Sequence, residues 1–479
     1  MDAIAIIRQV NEIIWGPAAW AVLLGGGLWL SIKTNFLQIT KFTAWIDLTI
    51  VDMFRKPENK KAGQIKGDGD ITPWQAINTA FCATMGVGTL VGTANAIAFG
   101  GPGAVFWMWV VGFFGIATKF SEVTLAVHFR QKNEKGEMLS GPFAYMEKGL
   151  GKKWLAVWFA LFGSIAAFGI GNMVQSNSAA FALNSVFGFD RMWIGIVAAI
   201  LIGLVIIGGL KRIAQVVERL IPFLAITAII SSFIIILTNI GMLPHAFGLI
   251  VRGAFTNEGL VGGVAGVSIM YAIRLGLQRG IFSNEAGLGS APIAYAAAKT
   301  DHPVKQGLWA AFEVFMDTHV MCTLVAFAIL TTIPLEVIQP SFFLPGMDPS
   351  LMPGMSGASL VIAAYAQSFL GPQVGSWLMA FLIGTFGFTT VIGWAFYGEK
   401  CFEYLCGSTK YVLFYRLLML PICVFGAMGG LALIWAIADG FNAFMALPNI
   451  VAIVLLGGTV SKLFNGFFNN QPYEPPVKQ

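Results

Sequence analysis

The chain has 479 residues, of which 57% are hydrophobic and only 11% charged, with a formal net charge of +5. Soluble globular proteins carry roughly 25% charged residues, so most of this surface must use lipid as solvent, as the mean hydropathy of +0.75 also indicates. A charge this small makes no case for nucleic-acid binding, and four scattered histidines and five cysteines without a C-x-x-C pair argue against metal or disulfide chemistry.

Met1 to Trp15 has no basic leader and no small-residue cleavage site, so the first apolar run reads as a retained helix. The expected class is an all-α polytopic membrane protein. About eleven spans are predicted, near 15–32, 72–99, 103–128, 154–184, 192–210, 216–239, 258–276, 306–333, 358–395, 411–436 and 441–464. The fourth and ninth are too long for straight crossings and should be tilted, broken or extended beyond the bilayer. Between the first two spans, residues 41–55 mix Lys41, Asp47, Asp52 and Arg55 with Phe42, Trp45, Ile46 and Ile50. That pattern predicts an amphipathic helix at the interface.

Lys and Arg gather in alternate connections, and the Pro/Gly-rich loop 334–357 contains neither. Basic loops stay in the cytoplasm, which puts the N-terminus outside and the C-terminus inside the cell membrane. The polar tail Asn469–Gln479 is expected to be mobile. Four parts follow: an N-terminal helix and basic amphipathic segment over 1–70, five-helix units over 71–240 and 241–465, and a cytoplasmic tail over 466–479.

Two spans carry glycine interruptions, Thr84-Met-Gly-Val-Gly-Thr-Leu-Val-Gly92 and Gly262-Gly-Val-Ala-Gly266. Hydrocarbon cannot satisfy the backbone groups such a break frees, so it survives only where protein or a water-filled cavity supplies partners. The two broken spans are the first and sixth of the last ten, which gives the halves opposite topology. Broken helices in corresponding halves are the mark of inverted-repeat transporters. The hinge is assigned to Gly86, Gly88, Gly92, Gly262, Gly263 and Gly266. Amides of the second half-helix suit a carboxylate, and carbonyls of the first suit Na⁺. An amino acid plus sodium would match both ends of one break.

Among polar residues in the spans, Gln175 is assigned to substrate, and Asn172 and Asn177 to helix–helix hydrogen bonds. Thr389 and Thr390 offer adjacent hydroxyls, either to an ion or back to their own helix. Intramembrane ionisable groups are functional candidates by default. Lys119 and Glu122 read as an internal pair or a functional one, and Asp317 and His319 as a proton relay or a structural bond.

Gly100-Gly-Pro-Gly-Ala-Val-Phe-Trp-Met-Trp109, Phe168-Gly-Ile-Gly-Asn-Met-Val-Gln175, Arg279-Gly-Ile-Phe-Ser-Asn-Glu-Ala-Gly-Leu-Gly-Ser-Ala-Pro292 and Gly393-Trp-Ala-Phe-Tyr-Gly-Glu-Lys-Cys401 resemble the alanine/glycine:cation symporter family from about residue 10 to residue 465. The resemblance implies a LeuT-type five-plus-five inverted repeat preceded by one extra helix, and sodium-driven symport of a small neutral amino acid. It implies a substrate pocket built from Thr84, Gly86, Gly88, Thr89, Gln175, Met270, Ile273 and Trp394, with Na⁺ at Thr84, Val87, Thr389 and Thr390. One departure stands in the break: the family's usual Thr-Gly-Asn is Val87-Gly88-Thr89 here.

Other classes need features that are weak in this chain. Proton coupling would run through Asp317, His319 or Glu122, and a transporter-shaped receptor would bind without transport. A channel would need a span with a polar stripe along its whole length. An enzyme would have only Ser283, Glu285 and Ser290 to draw on.

Overall fold

The computed structural model describes residues 11, 14–52, 55, 67–256, 269–338 and 355–476. Helix dominates these residues, and the one hairpin among them pairs Gln131–Lys132 with Met138–Leu139. The long helices are α1 (Pro17–Lys33), α2 (Pro73–Thr84), α3 (Gly88–Gly100), α4 (Gly103–His128), α5 (Lys153–Phe187), α6 (Arg191–Ile206), α7 (Gly209–Thr238), α8 (Leu243–Phe255), α9 (Ile269–Asn284), α10 (Pro303–Thr332), α11 (Gly357–Ala366), α12 (Gly371–Cys406), α13 (Val412–Met428), α14 (Leu431–Leu455) and α15 (Gly457–Phe468). Seven of the described helices are long and apolar enough to cross a membrane, and α2 with α3 makes an eighth span bent by 43°.

Local chemistry explains where the elements begin and end. A capping box starts α2: Thr72 Oγ1 accepts from the Gln75 amide at 3.1 Å while Gln75 Oε1 accepts from the Thr72 amide at 3.0 Å. Pro73 follows at the position where a missing N–H costs nothing. The over-long fourth run stays one span, carrying a π-turn at Gly169–Met173. The ninth run is instead two helices, α11 and α12, because residues 367–370 leave the helical path and Gly371 turns at φ +79°. The eleventh is cut at Leu456 into α14 and α15, and α7 starts at Gly209, seven residues earlier than the predicted 216. Gly262, Gly263, Gly266 and most of the loop 334–357 lie outside the described residues.

Burial sorts the helices. The apolar window of α4 is 83% buried, against 39% for α7 and 33% for the span ending in α13. On α7 the exposed residues Phe223, Ile226, Ile230, Phe233 and Leu237 recur every three or four positions, forming one apolar stripe. In a protein that spans a bilayer, such a stripe faces lipid, so α7 and α13 form the rim and α4 the centre.

Two peripheral segments are more tightly held than their sequences imply. Residues 42–51 are helical, but Trp45 is fully buried, with its ring 5.7 Å from Phe315 and 6.5 Å from Phe312 of α10. The apolar face thus seals onto the bundle. The tail, expected to be mobile, is tethered where Tyr473 Oη meets His128 Nδ1 at 3.1 Å and its ring lies 5.0 Å from His302. Nearby, Arg130 donates to the Ala298 and Thr300 carbonyls at 2.8 and 3.2 Å, next to bridges from Asp68 to Thr300 and Ile71 to Ala298.

Close helix contacts rest on missing side chains. A Cβ on Gly195 of α6 would lie 2.8 Å from Ala427 Cβ and 3.1 Å from Val424 Cα of α13, whereas one on Gly248 of α8 would meet nothing within 4 Å. Gly195→Val should therefore destabilise the purified protein by about 1–3 kcal/mol through overpacking. Gly248→Ala should be neutral or stabilising by up to about 1 kcal/mol from helix propensity. Melting temperatures of the two variants in one detergent check the contrast.

Candidate functional site

The site forms where α2 stops. Thr84 ends that helix; its hydroxyl reaches back to the Ala80 carbonyl at 3.2 Å and across to Glu313 Oε1 of α10 at 2.9 Å. The chain then leaves the helical path at Met85 (ψ 80°) and re-enters through a π-turn at Gly88–Gly92. Gly86 sits at the point of closest approach. A Cβ there would fall 2.2 Å from Thr390 Oγ1 of α12 and 3.6 Å from Gln175 Oε1 of α5. Gly88 lies against the Phe282 ring, which a Cβ would meet at 2.9 Å.

Gln175 and Thr390 face this unwound stretch with polar capacity to spare, and Thr389 is buried beside Thr390 on α12. Gln175 Nε2 donates to the Ile170 carbonyl at 3.0 Å, while its buried Oε1 has no protein partner among the described residues. Thr389 and Thr390 donate to the Phe386 carbonyl at 3.0 and 2.9 Å. Their protons are thus engaged within α12, but lone pairs on both oxygens stay free for a cation. Trp394, one turn beyond Thr390, is 1% exposed and lies against the π-turn of α5, where a Cβ on Gly171 would come 2.3 Å from Trp394 Cβ.

Other assigned residues are placed differently. Thr89 turns to α10, donating to Asp317 Oδ1 at 2.6 Å, with the Thr84 carbonyl at 3.1 Å. Val87 is fully buried. Gly92 has ordinary helical angles and open space beside it. Met270 is 48% exposed and Ile273 half-buried, so the structure does not gather Met270 with the others. Asn172 donates to the Met419 carbonyl at 2.8 Å and Asn177 to that of Gly429 at 2.7 Å, both tying α5 to the α13 side.

Behind the break lies a buried polar network. Lys119 does not pair with Glu122. Its ammonium crosses to Glu313 Oε1 at 2.7 Å and to the Asn284 carbonyl ending α9 at 2.6 Å. Tyr295 donates to Glu313 Oε2 at 2.9 Å, and Glu122 takes the Asn449 amide instead. Asp317 accepts hydroxyls from Thr89, from Ser283 at 2.7 Å and from Thr318 at 3.1 Å, and His319 is not among its partners. On the other face, Arg279 pairs with Asp439 at 2.7 Å, beside the stacked rings of Phe282 and Trp435. Glu313 and Asn449 escaped the sequence reading. A carboxylate inside an apolar run was the available signal for Glu313; nothing marked Asn449.

A broken span, a buried acceptor without a protein partner among the described residues and threonine hydroxyls on a third helix thus meet at one place. The profile of the sodium:alanine symporter family matches residues 1–476. The chain belongs to that family. It is 42% identical over 478 residues to the sodium/alanine symporter AgcS of Methanococcus maripaludis, covering 98% of this chain and 99% of that one. It is 38% identical over 458 residues to a probable sodium/glutamine symporter, GlnT, of Bacillus subtilis, covering 95% and 88%. Among solved structures, MhsT in complex with L-phenylalanine superposes with a TM-score of 0.51 at 16% identity, covering 84% of this chain and 90% of that one. That likeness concerns fold alone and is to a LeuT-type transporter. This member of the sodium:alanine symporter family is accordingly a membrane transporter, not an enzyme, and Na⁺ is its coupling ion.

The Lys119–Glu313 pair is fully buried, whereas Lys132–Asp68 is about half exposed on each side. Lys119→Met strands a carboxylate in the interior and should cost about 3–5 kcal/mol. Lys132→Met should cost about 0–1 kcal/mol. Thermal unfolding of the two variants measures the difference.

Proposed function

We propose that this protein carries a small neutral amino acid, alanine, glycine or similar, together with Na⁺ by alternating access. The observation that carries the reading is the break at Met85–Val87, with Gly86 pressed against Thr390 and Gln175. On this reading the substrate carboxylate takes amides at the start of α3, and Gln175 Oε1 faces the substrate ammonium. Sodium takes oxygens of Thr84, Val87, Thr389 and Thr390. Thr89, bonded to Asp317, stabilises the break. The eleven-span, five-plus-five arrangement belongs to this proposal. So do the second break at Gly262–Gly266, an outside N-terminus with a cytoplasmic C-terminus, and the four-part division at residues 70, 240 and 465.

Neutral solutes that fit beside Gly86 must be small, because Thr390 and Gln175 already approach its missing Cβ position. That supports alanine-sized over larger substrates. The names of the two relatives point to alanine and to glutamine respectively.

Purified protein in liposomes should accumulate labelled alanine, glycine or serine under an inward Na⁺ gradient. Equal accumulation with K⁺ alone would sink the coupling, and binding without accumulation would mark a receptor. Proton coupling through Asp317 would predict that Asp317→Asn abolishes gradient-driven uptake, and full retention of uptake in that variant counts against the residue. Ligands that bind only the native state stabilise it, by about 2.7 kcal/mol at a hundred times Kd, so a thermal-shift screen should show Na⁺ and amino acid raising each other's effect.

Gly86→Ala forces a methyl group into Thr390 Oγ1, whereas Gly92→Ala adds one to open space. Uptake should fall by at least about tenfold in the first, a displacement costing roughly 1.4 kcal/mol or more. The second should transport within about twofold of the parent. Equal loss in both would remove Gly86 from the site.

A further inference from the structure

The run Arg279–Pro292 is the longest motif in the chain with no role yet, and its centre has an unusual backbone. α9 ends at Asn284, and Glu285 follows with φ +57°, the left-handed region that favours glycine. A glutamate persists in such a conformation only where its surroundings over-determine it. Here the side chain does so. It is 1% exposed; Oε2 accepts from Ser290 Oγ at 2.5 Å and Oε1 accepts from Trp394 Nε1 at 2.8 Å.

The turn that carries Glu285 is held independently. The Leu288 amide donates to the Glu285 carbonyl at 3.1 Å, and Asn284 Oδ1 takes the Ala286 amide at 2.9 Å. Asn449 Nδ2 donates to the Gly287 carbonyl at 2.9 Å. Gly289 is wedged so that a Cβ would meet Pro142 Cγ at 2.5 Å. The indole at the far end of the link is fixed by Gly171 on one side and by the Tyr397 ring, 5.7 Å away and edge-on, on the other.

We propose that Glu285 is a positioning residue for amino-acid binding. It locks the Trp394 indole against the π-turn of α5, so the shape of the pocket depends on the closed turn after α9. This rests on the proposed function, which puts Trp394 in the pocket. Two consequences follow from the geometry. When the turn withdraws, the Trp394 indole loses its hydrogen bond to Glu285 and the pocket wall loosens. The role needs a hydrogen-bond acceptor at position 285 and not a negative charge, since a glutamine can accept from the indole and donate to Ser290.

The test is uptake of labelled alanine into proteoliposomes at a fixed Na⁺ gradient, with KM and maximal rate measured separately. Glu285→Ala should raise KM by about tenfold, the order expected for losing a bond to a charged acceptor, with maximal rate within about threefold. Glu285→Gln should recover most of that loss. In a Trp394→Phe background, which lacks the indole donor, Glu285→Ala should change KM by less than about twofold. If Glu285→Ala does not yield folded protein, Ser290→Ala carries the same cycle, with a smaller KM shift that should again vanish beside Trp394→Phe. An equal KM shift in both backgrounds, or a Glu285→Gln as damaged as the alanine variant, overturns the assignment of Glu285 alone. A Trp394→Phe protein with parental KM overturns the pocket reading itself, and this inference with it.

Discussion

Everything in this bundle is organised around a helix that stops where water is scarce. Breaking α2 from α3 frees backbone groups that hydrocarbon cannot satisfy, and carboxylates of α10 hold the threonine hydroxyls on either side of the break. The Glu313 carboxylate is the hub. It receives Thr84 from the broken span, Lys119 from α4 and Tyr295 from the segment after α9. A second carboxylate four residues on, Asp317, receives Thr89 from the start of α3 and Ser283 from the end of α9. The two halves of the break are therefore each tied to α10, one turn apart.

This tethering sets the polar, buried centre apart from the apolar rim. α4, α9 and α10 are linked to the break by charged or hydroxyl-bearing side chains, all buried. α7 and α13 contribute mostly apolar faces and small-residue contacts. A network of buried polar bonds links α2 to α4, α9 and α10. Against it stands α12, which brings Thr389, Thr390 and Trp394, and α5, which brings Gln175 and the π-turn. The proposed substrate site lies at their seam, where Gly86 of the break meets Thr390 and Gln175.

The segment from Asn284 to Thr300 belongs to both sides. Its carbonyls are taken by Lys119, Asn449 and Arg130, while Glu285 reaches to α12. Such a segment joins the polar network to α12 through hydrogen bonds that must break before it moves. Glycines at Gly287 and Gly289, with φ +94° and +79°, give its turn a path that side chains would block.

Much of the fold was legible in the sequence, and for a local reason: hydropathy, glycine clusters and prolines act on their own stretch of chain. They located the break at Gly86, the membrane class and the over-length of the fourth and ninth runs. Polar groups within apolar runs marked Gln175, Thr389 and Thr390, and the family motifs added Trp394; the structure sets Gln175 and Thr390 against Gly86 and Trp394 against Gly171. Spacing failed wherever the partner was remote. Lys119 and Glu122, three apart, suggested a pair, yet the ammonium bonds Glu313, 194 residues away, because the two α4 side chains leave the helix toward different neighbours. Thr84 meets Glu313 across 229 residues and Trp394 meets Glu285 across 109. By itself, then, the sequence determined the solvent, the helices and the place of the break, all consequences of neighbouring residues sharing one environment. Only the tertiary structure decided which carboxylate serves which helix end, since that depends on how distant helices rotate to bury every polar atom at once.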